Sequence, residues 1–272
     1  MRQVRERTWL EALGGALAIA LLLVLAVKTL THVIAPRILT HYGPFPALAG
    51  APKRTTSADG RLADPVNIAL VGTEAEVRAA MHGAGWVPAD SLSRAADVAI
   101  AKSVLFNRPD SSAPVSTQLL LGRRQDLAYE LEVGRSARRR HHVRFWLDSA
   151  ITFEGRPAWL GSATFDARAG LSHRTFRPTH YIAPDVDQER DALASALAGA
   201  RQASQTFRVT GLGVRVWDRN ADRDRFDTDG ELRVVVLSPG NAPHAPPVDP
   251  GVPPLVAMKD RLWQWAHRFA PG

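Results

Sequence analysis

Arginine is concentrated in one stretch of the chain, where its side chains could recognise an anion. Seven arginines fall between residues 123 and 144 of a 272-residue chain with a net charge of +7. The planar guanidinium group binds phosphate or carboxylate through two parallel hydrogen bonds. With two histidines as further donors, the candidate anion-binding residues are Arg123, Arg124, Arg138, Arg139, Arg144, His142 and His180. The alternative is an arginine-rich sheet edge that resists aggregation and pairs with nearby carboxylates.

A metal site is the second chemistry that the residue types allow. His141 and His142 are neighbours in a predicted strand, so their side chains point to opposite faces and cannot easily bind one ion. One of them could instead join His180, Asp185 or Asp187. The alternative is an exposed strand histidine beside a helix N-terminus that carries acids for its dipole. We favour this alternative and predict no metal and no cofactor.

Alternating acidic residues between positions 218 and 229 resemble a calcium loop. An EF-hand needs Gly at the sixth position and Glu at the twelfth, but counting from Asp218 these positions hold Arg223 and Asp229. Arg219 and Arg225 would also repel a cation. We therefore predict a solvated hairpin loop.

Signatures of the common hydrolases are absent from the sequence. There is no GxSxG nucleophile elbow and no HExxH zinc motif. The chain has no cysteine, which excludes disulfides, cysteine-ligated zinc and a cysteine nucleophile. No catalytic residue is assigned from the sequence.

Strand patterns surround the arginines. Residues 128–133, 141–147 and 158–165 alternate between apolar and polar side chains and are joined by short turns, which predicts an antiparallel meander. Arg138 to Arg140 are expected to stay exposed in the turn between the first two strands. Within the second strand, Val143 and Phe145 point to a face predicted to be buried, and His142 and Arg144 point to the other.

Helix and strand signals flank this meander. Thr73 and Glu76 form a capping box before a helix at 74–84, and Asp185 caps a helix at 185–199. Further predicted elements are a helix at 91–106, strands at 66–71, 206–217 and 231–237, an irregular segment at 172–183 and a turn at 227–230. Together they predict an α+β fold, a mixed or antiparallel sheet packed by two or three helices.

A membrane-spanning helix is predicted before this domain. Residues 12–27 contain no charged or strongly polar side chain, and residues 10–34 are long enough to cross a bilayer. Arg2, Arg5 and Arg7 predict a cytoplasmic N-terminus, which would place the bulk of the chain in the periplasm of a bacterial inner membrane. The alternative is a cleaved signal peptide.

Composition divides the chain further. We predict a cytoplasmic segment at 1–9, the span at 10–34, a Pro/Gly-rich linker at 35–64, the α+β domain at 65–239, and a Pro-rich segment with an amphipathic helix at 240–272.

Four segments within the predicted domain resemble a known family. GRRQDLAYE, SARRRHHVRFW, THYIAPDVDQERD and TDGELRV, in this order, resemble the LssY C-terminal domain family over roughly Asp64 to Pro239. Family members often carry this domain behind a phosphatidic-acid-phosphatase-type membrane domain. That pattern needs a histidine six residues after a Ser-Arg pair, and here Ser93-Arg94 is followed by Ile100. The resemblance implies a single-span member without the phosphatase, and no established activity.

Two functions from different classes fit these residues. The first is a membrane-anchored accessory or binding module of the bacterial envelope, whose arginine-rich surface engages an anionic lipid or a secretion protein. The second is a phosphate-ester hydrolase or related envelope enzyme, with Arg123 and Arg124 as clamps and His142 or His180 as acid–base. A polar pocket where a histidine and the arginines converge would favour the enzyme. Nucleic acid is not expected outside the cytoplasm.

Overall fold

A computed structural model describes most of the chain. The described residues are 2–34, 45–89, 118–134, 139–171, 178–209, 216–240 and 246–248, with single positions at 38, 254, 257, 258 and 261. The predicted helix at 91–106, Arg138 and nearly all of the predicted terminal helix lie outside them.

The chain begins with a long apolar helix, α1 (Arg2–Thr29), which continues as a π-helical turn at Leu30–Ile34. Its window Glu11–Thr29 has the length and composition of a membrane span, and none of that window is buried against the rest of the protein. A helix that is apolar on every face and packs against nothing has the character expected of a segment surrounded by lipid.

The strands are β1 (Arg54–Ser57), β2 (Leu62–Pro65), β3 (Ile68–Val71), β4 (Val87–Pro88), β5 (Gln118–Leu120), β6 (Arg123–Arg124), β7 (Leu127–Glu132), β8 (Arg140–Phe153), β9 (Arg156–Leu171), β10 (Pro178–Ile182), β11 (Ala203–Val209), β12 (Val216–Arg219), β13 (Arg225–Thr228) and β14 (Leu232–Leu237). In the described part of the chain, eight of them form a mixed sheet in the order β11–β14–β3–β9–β8–β7–β4, with β10 paired to β9. This architecture confirms the predicted α+β class with its mixed sheet.

The predicted meander is the centre of this sheet. β7, β8 and β9 are consecutive antiparallel strands, in which Val143 and Phe145 are fully buried as expected. The segment at 172–183, predicted to be irregular, contains β10. β9 is longer than β3, and Asp166 to Leu171, in the part of β9 that β3 does not cover, pair with β10.

A side chain fills the gap between β3 and β10 along β9. Asn67 Nδ2 donates to the carbonyl of Ala163 at 2.9 Å and to that of Val186 at 3.1 Å. Its Oδ1 accepts from the Ala163 amide at 2.9 Å. The amide side chain therefore replaces a missing strand residue, so the backbone groups of β9 stay paired at a buried position.

Two helices cover one face of the sheet. They are α2 (Glu74–Gly83), which begins with the predicted Thr73–Glu76 capping box, and α3 (Val186–Gly199), capped by Asp185 as predicted. The helix-side core lies between these helices and the sheet, and includes Val77, Met81, Phe145, Trp159, Leu193 and Leu197.

A second, smaller sheet lies near the other face. It has the order β2–β1–β5–β6 and, with a short 3-10 helix at Pro46–Gly50, helps to form the sheet-side core, which includes Phe45, Leu48, Leu120, Trp146 and Leu160. The structure thus differs from the predicted linker at 35–64. Its prolines and glycines hide the periodicity of β1 and β2, but in the described part, 45–64, the side chains of Phe45, Leu48, Ala51 and Ala63 are buried in the domain.

The region 206–240 also differs from the prediction. The described residues of the predicted strand at 206–217 belong to β11 and β12, which lie in different sheets, and β12 pairs with β13 in a hairpin. The predicted turn at 227–230 is later by two residues, because Asp227 and Thr228 belong to β13 and the positive φ lies at Gly230.

Candidate functional site

Strands β7, β8 and β9, together with Asp64 on β2, bring charged and polar side chains together in the interior of the protein. We call this set the interior cluster: Asp64, Glu130, Arg140, His142, Arg144, Thr164 and Asp166. His142 lies opposite Glu130 on β7 and opposite Thr164 on β9, while Arg140 lies opposite Asp166. All seven side chains are buried. The strand alternation predicted that His142 and Arg144 share a face, and that face is covered.

The contacts of His142 define its protonation state. Its Nε2 lies 2.9 Å from Arg144 Nη1 and 2.6 Å from Thr164 Oγ1. A guanidinium group only donates, so Nε2 must accept and the ring proton must be on Nδ1. That nitrogen lies 3.1 Å from Asp166 Oδ1, which is an electrostatic contact with the carboxylate whose geometry is not that of a hydrogen bond. His142 is therefore a neutral imidazole between an aspartate and a threonine.

Burial and the surrounding charges explain why this state is stable. Burial, assisted by Arg144 and Arg140, lowers the pKa of His142 against the opposing effect of Asp166. Burial alone would raise the pKa of Asp166, but His142, His180 and Arg140 together lower it well below its usual range. Both shifts favour a neutral His142 beside an ionised Asp166.

The arginines of the cluster are paired internally. Arg140 donates to Glu130 Oε2 at 2.7 Å and to Asp166 Oδ2 at 2.9 Å, and its side chain is only 3% exposed. Arg144 lies 3.8 Å from Asp64 Oδ2 in addition to its contact with His142. Among the described members, three carboxylates face two guanidinium groups, so the cluster has no excess positive charge for an anion. The prediction that Arg140 is exposed is wrong, and Arg144 lies in the interior.

The structure separates the remaining predicted anion-binding residues. Arg123 and Arg124 are exposed on β6, in the smaller sheet, and Arg139 is exposed beside β8 with its guanidinium 5.6 Å from the Phe165 ring. Arg123 Nη2 donates to the carbonyl of Leu147, eight residues along from Arg139, or ~26 Å in an extended strand. Arg123 and Arg139 therefore do not converge. His180, on β10, lies 3.8 Å from Asp166.

The two exposed arginines of β6 follow a tight turn with an exposed apolar tip. β5 and β6 pair through Leu120 and Arg123, which leaves Leu121 and Gly122 as the loop. Trp146 Nε1 donates to the Arg123 carbonyl at 3.1 Å and ties this hairpin to β8. In the described part of the chain, no hydrogen bond or ion pair holds the Arg124 guanidinium. Arg123 lies 3.3 Å from Asp126 Oδ1 in an exposed ion pair, so both arginines are exposed but only Arg124 has no such contact among the described residues. We call residues 118–124 the β5–β6 hairpin.

The acidic residues near β12 and β13 point to different partners. Asn220 Oδ1 accepts from the amides of Asp222 and Asp224, which closes the hairpin loop. Asp224 accepts from the Ile182 amide, and burial raises its pKa to about 6. Asp187 and Asp229 both form ion pairs with the buried Arg190. Burial raises the pKa of Asp187 to about 7; the nearby charge of Asp229 adds to this increase, and Arg190 opposes it. Within the described ranges, no group of three His, Cys, Asp or Glu side chains is placed to hold a metal ion.

Sequence reasoning missed several residues of the interior cluster. Thr164 and Asp166 stand two apart on β9, as His142 and Arg144 do on β8, and Glu130 occupies the matching face of β7. Polar residues that repeat with period two on adjacent strands were the available signal. On the opposite face, His141 Nδ1 lies 2.7 Å from Glu189 Oε2, which places a carboxylate among the apolar positions of α3.

Comparison with known protein families shows which family this domain belongs to. The family model described as LssY C-terminus matches residues 48–232. The chain belongs to the LssY C-terminus family. The match includes every residue of the interior cluster and the β5–β6 hairpin, and it begins after the apolar helix α1. No curated protein and no solved structure was found to match the chain.

Proposed function

We propose that this LssY C-terminal protein is a membrane-anchored binding module of the bacterial envelope, which engages an anionic ligand through Arg123 and Arg124. The observation that carries the proposal is the exposure of these two adjacent arginines on the β5–β6 hairpin, whereas Arg144 is buried and Arg139 lies far from them. As neighbours in a strand, the two side chains point to opposite faces of the hairpin, so each guanidinium group would bind a separate phosphate or carboxylate on its own side.

The apolar helix supports the membrane part of the proposal. A chain anchored by α1 would keep its domain near the bilayer, because the ten residues 35–44 span at most ~36 Å. Tethering raises the effective concentration of the domain at the membrane surface, so weak contacts with lipid headgroups become significant. Among anionic ligands, phospholipid headgroups are therefore the ones that the domain would meet at the highest effective concentration.

Removing both arginines is expected to abolish the preference for acidic membranes. Each basic side chain near an acidic membrane surface contributes about 1 kcal/mol, so Arg123→Ala with Arg124→Ala should weaken binding ~30-fold. The measurement is co-sedimentation of the chain lacking residues 1–34 with vesicles with and without phosphatidylglycerol. This deletion should leave the domain folded, because none of the window Glu11–Thr29 of α1 is buried against the domain.

A matched control separates local binding from total charge. Arg61 and Arg78 have side chains that are each 53% exposed, close to the 55% of Arg123, and they lie elsewhere on the domain. Arg61→Ala with Arg78→Ala removes the same charge and should leave most of the binding intact. Equal losses from both double variants would show that only net charge matters and would reject the hairpin as the site.

Orientation is a separate part of the proposal. Arg2, Arg5 and Arg7 precede the apolar helix, and positive residues favour the cytoplasmic side. Alkaline phosphatase fused after Pro239 should therefore be active, since this enzyme matures only outside the cytoplasm. Activity of a cytoplasmic reporter at the same position would reverse the orientation, and release of a shortened soluble form would indicate a signal peptide.

The hydrolase alternative has less support from the geometry. Its proposed clamps, Arg123 and Arg124, belong to the smaller sheet, and the nitrogen of His142 that would act as a base is already in contact with Arg144 and Thr164. His142, His180 and the buried arginines do converge around Asp166, but with their charges balanced by carboxylates. A phosphate ester would there face an excess of negative charge.

A further inference from the structure

The turn of the β5–β6 hairpin presents an apolar side chain to solvent in an unfavourable backbone conformation. Leu121 is 77% exposed and has a φ of 51°, and Gly122 follows with a φ of 77°. Positive φ at both central residues of a two-residue loop is the type I′ geometry, in which Asn-Gly is strongly preferred. Leucine has no side-chain group to offset the left-handed conformation. In water, Leu121 is therefore unfavourable both as a turn residue and as a surface residue.

From this combination we infer that Leu121 inserts into the interface of an acidic bilayer while Arg123 and Arg124 contact the lipid phosphates. The inference rests on the proposed function, and it names the bilayer as the source of the anionic ligand. Backbone strain held by a rigid surrounding structure is a common property of ligand-contacting positions. Insertion would remove the apolar side chain from water, which gives the strained residue a favourable environment.

The surroundings of the turn fit a membrane-facing tip. Leu120, directly before the tip, is buried in the sheet-side core, so the hairpin is firmly anchored to the domain. Phe45, the residue directly after 35–44, is buried in the same core, so the described domain begins in the layer of the protein that carries the hairpin. An apolar side chain flanked by arginines can enter the interface while the guanidinium groups stay at headgroup depth.

The absence of cysteine from the chain makes a direct test simple. Leu121→Cys in the full-length protein gives one labelling site for an environment-sensitive fluorophore. The protein is placed in lipid nanodiscs of phosphatidylcholine alone, or with one third phosphatidylglycerol. In the acidic discs the fluorophore should shift to shorter wavelength and be quenched by lipid-borne quenchers. An aqueous spectrum in both kinds of disc would overturn the inference.

Leu62 provides the matched control for this label. It is 58% exposed on β2, at the opposite edge of the smaller sheet from β6. Leu62→Cys should keep an aqueous spectrum in both kinds of disc. Equal shifts at residues 62 and 121 would indicate general adsorption of the domain and would overturn insertion by the hairpin tip.

A second test uses the opposite effects expected for stability and binding. Leu121→Asn suits the left-handed conformation and should raise the thermal midpoint of the domain by about 2–4 °C. The same change should weaken binding of the chain lacking residues 1–34 to acidic vesicles about tenfold, because the apolar contact is lost. A lower midpoint, or unchanged vesicle binding, would overturn the inference.

The two proposals fail in different ways. If Arg123→Ala with Arg124→Ala keeps full preference for acidic vesicles, the proposed function itself is rejected. If that variant loses the preference and Leu121→Asn binds normally, the arginines bind an anion without insertion of the tip. Stabilisation by Leu121→Asn with no change in vesicle binding would reject insertion of the tip into the bilayer.

Discussion

Replacing Arg140 with methionine is expected to lower the free energy of unfolding of this domain by about 3–5 kcal/mol. The side chain of Arg140 holds the carboxylates of Glu130 and Asp166, and all three are almost completely buried. Methionine fills a similar volume but leaves both carboxylates in the interior without their cation. An uncompensated buried charge is much less stable than either a buried pair or a packed apolar group.

Chemical denaturation of the chain lacking residues 1–34 measures this loss. Arg78→Met is the control, because Arg78 pairs with Glu74 on the exposed surface of α2, and its removal should cost less than about 0.5 kcal/mol. Adding Glu130→Gln to Arg140→Met should recover part of the stability, because one of the two uncompensated charges is then removed. A loss below 1 kcal/mol for Arg140→Met would show that the interior cluster is not held by this ion pair.

Replacing Asn67 with alanine is expected to have an effect of similar size, about 3–6 kcal/mol. The variant removes one acceptor and one shared donor, and leaves the amide and carbonyl of Ala163 without their side-chain partner, while the Val186 carbonyl at the start of α3 loses a second donor. These groups lie between strands in the interior, where water cannot easily replace the lost hydrogen bonds. Each unsatisfied buried backbone group costs about 1–3 kcal/mol.

Asn220 offers a control with the same residue type and the same kind of contacts. Its side chain accepts from two backbone amides and donates to Asp64, but all three bonds are only partly buried. Asn220→Ala should therefore cost about 1–2 kcal/mol less than Asn67→Ala in thermal or denaturant unfolding, because water can replace its bonds. Equal losses from the two variants would contradict the role of Asn67 as a substitute for a strand residue.

Arg140 and Asn67 show that the sequence predicted strand faces and helix caps better than it predicted which distant residues contact them. The alternation in residues 141–147 assigned Val143 and Phe145 to one face and His142 and Arg144 to the other, as observed. The capping residues Thr73 and Asp185 were also recognised, because a cap acts on amides within three residues of itself. Such local rules are contained in short stretches of sequence.

The tertiary structure decided which of these faces meets solvent. A polar face is normally exposed, and the arginines of β8 were interpreted in that way. The smaller sheet and the short helix near residue 48 instead help to bury them, and Asp64 and Gln118 approach from distant parts of the chain. Contacts between residues so far apart in sequence depend on the order of the strands, which cannot be predicted from the periodicity of any single segment.

The sequence by itself determined the apolar N-terminal helix, the α+β class, the meander and the family, because each depends on local composition or a continuous pattern. Only the folded chain separated the arginines into buried ones that neutralise carboxylates and exposed ones that remain available. It also revealed Leu121 as a strained, protruding residue, since a Leu-Gly pair between two short strands carries no turn signal of its own. The physical reason is the same in both cases: burial and backbone conformation are set by contacts between segments, and these exist only after the sheets have assembled.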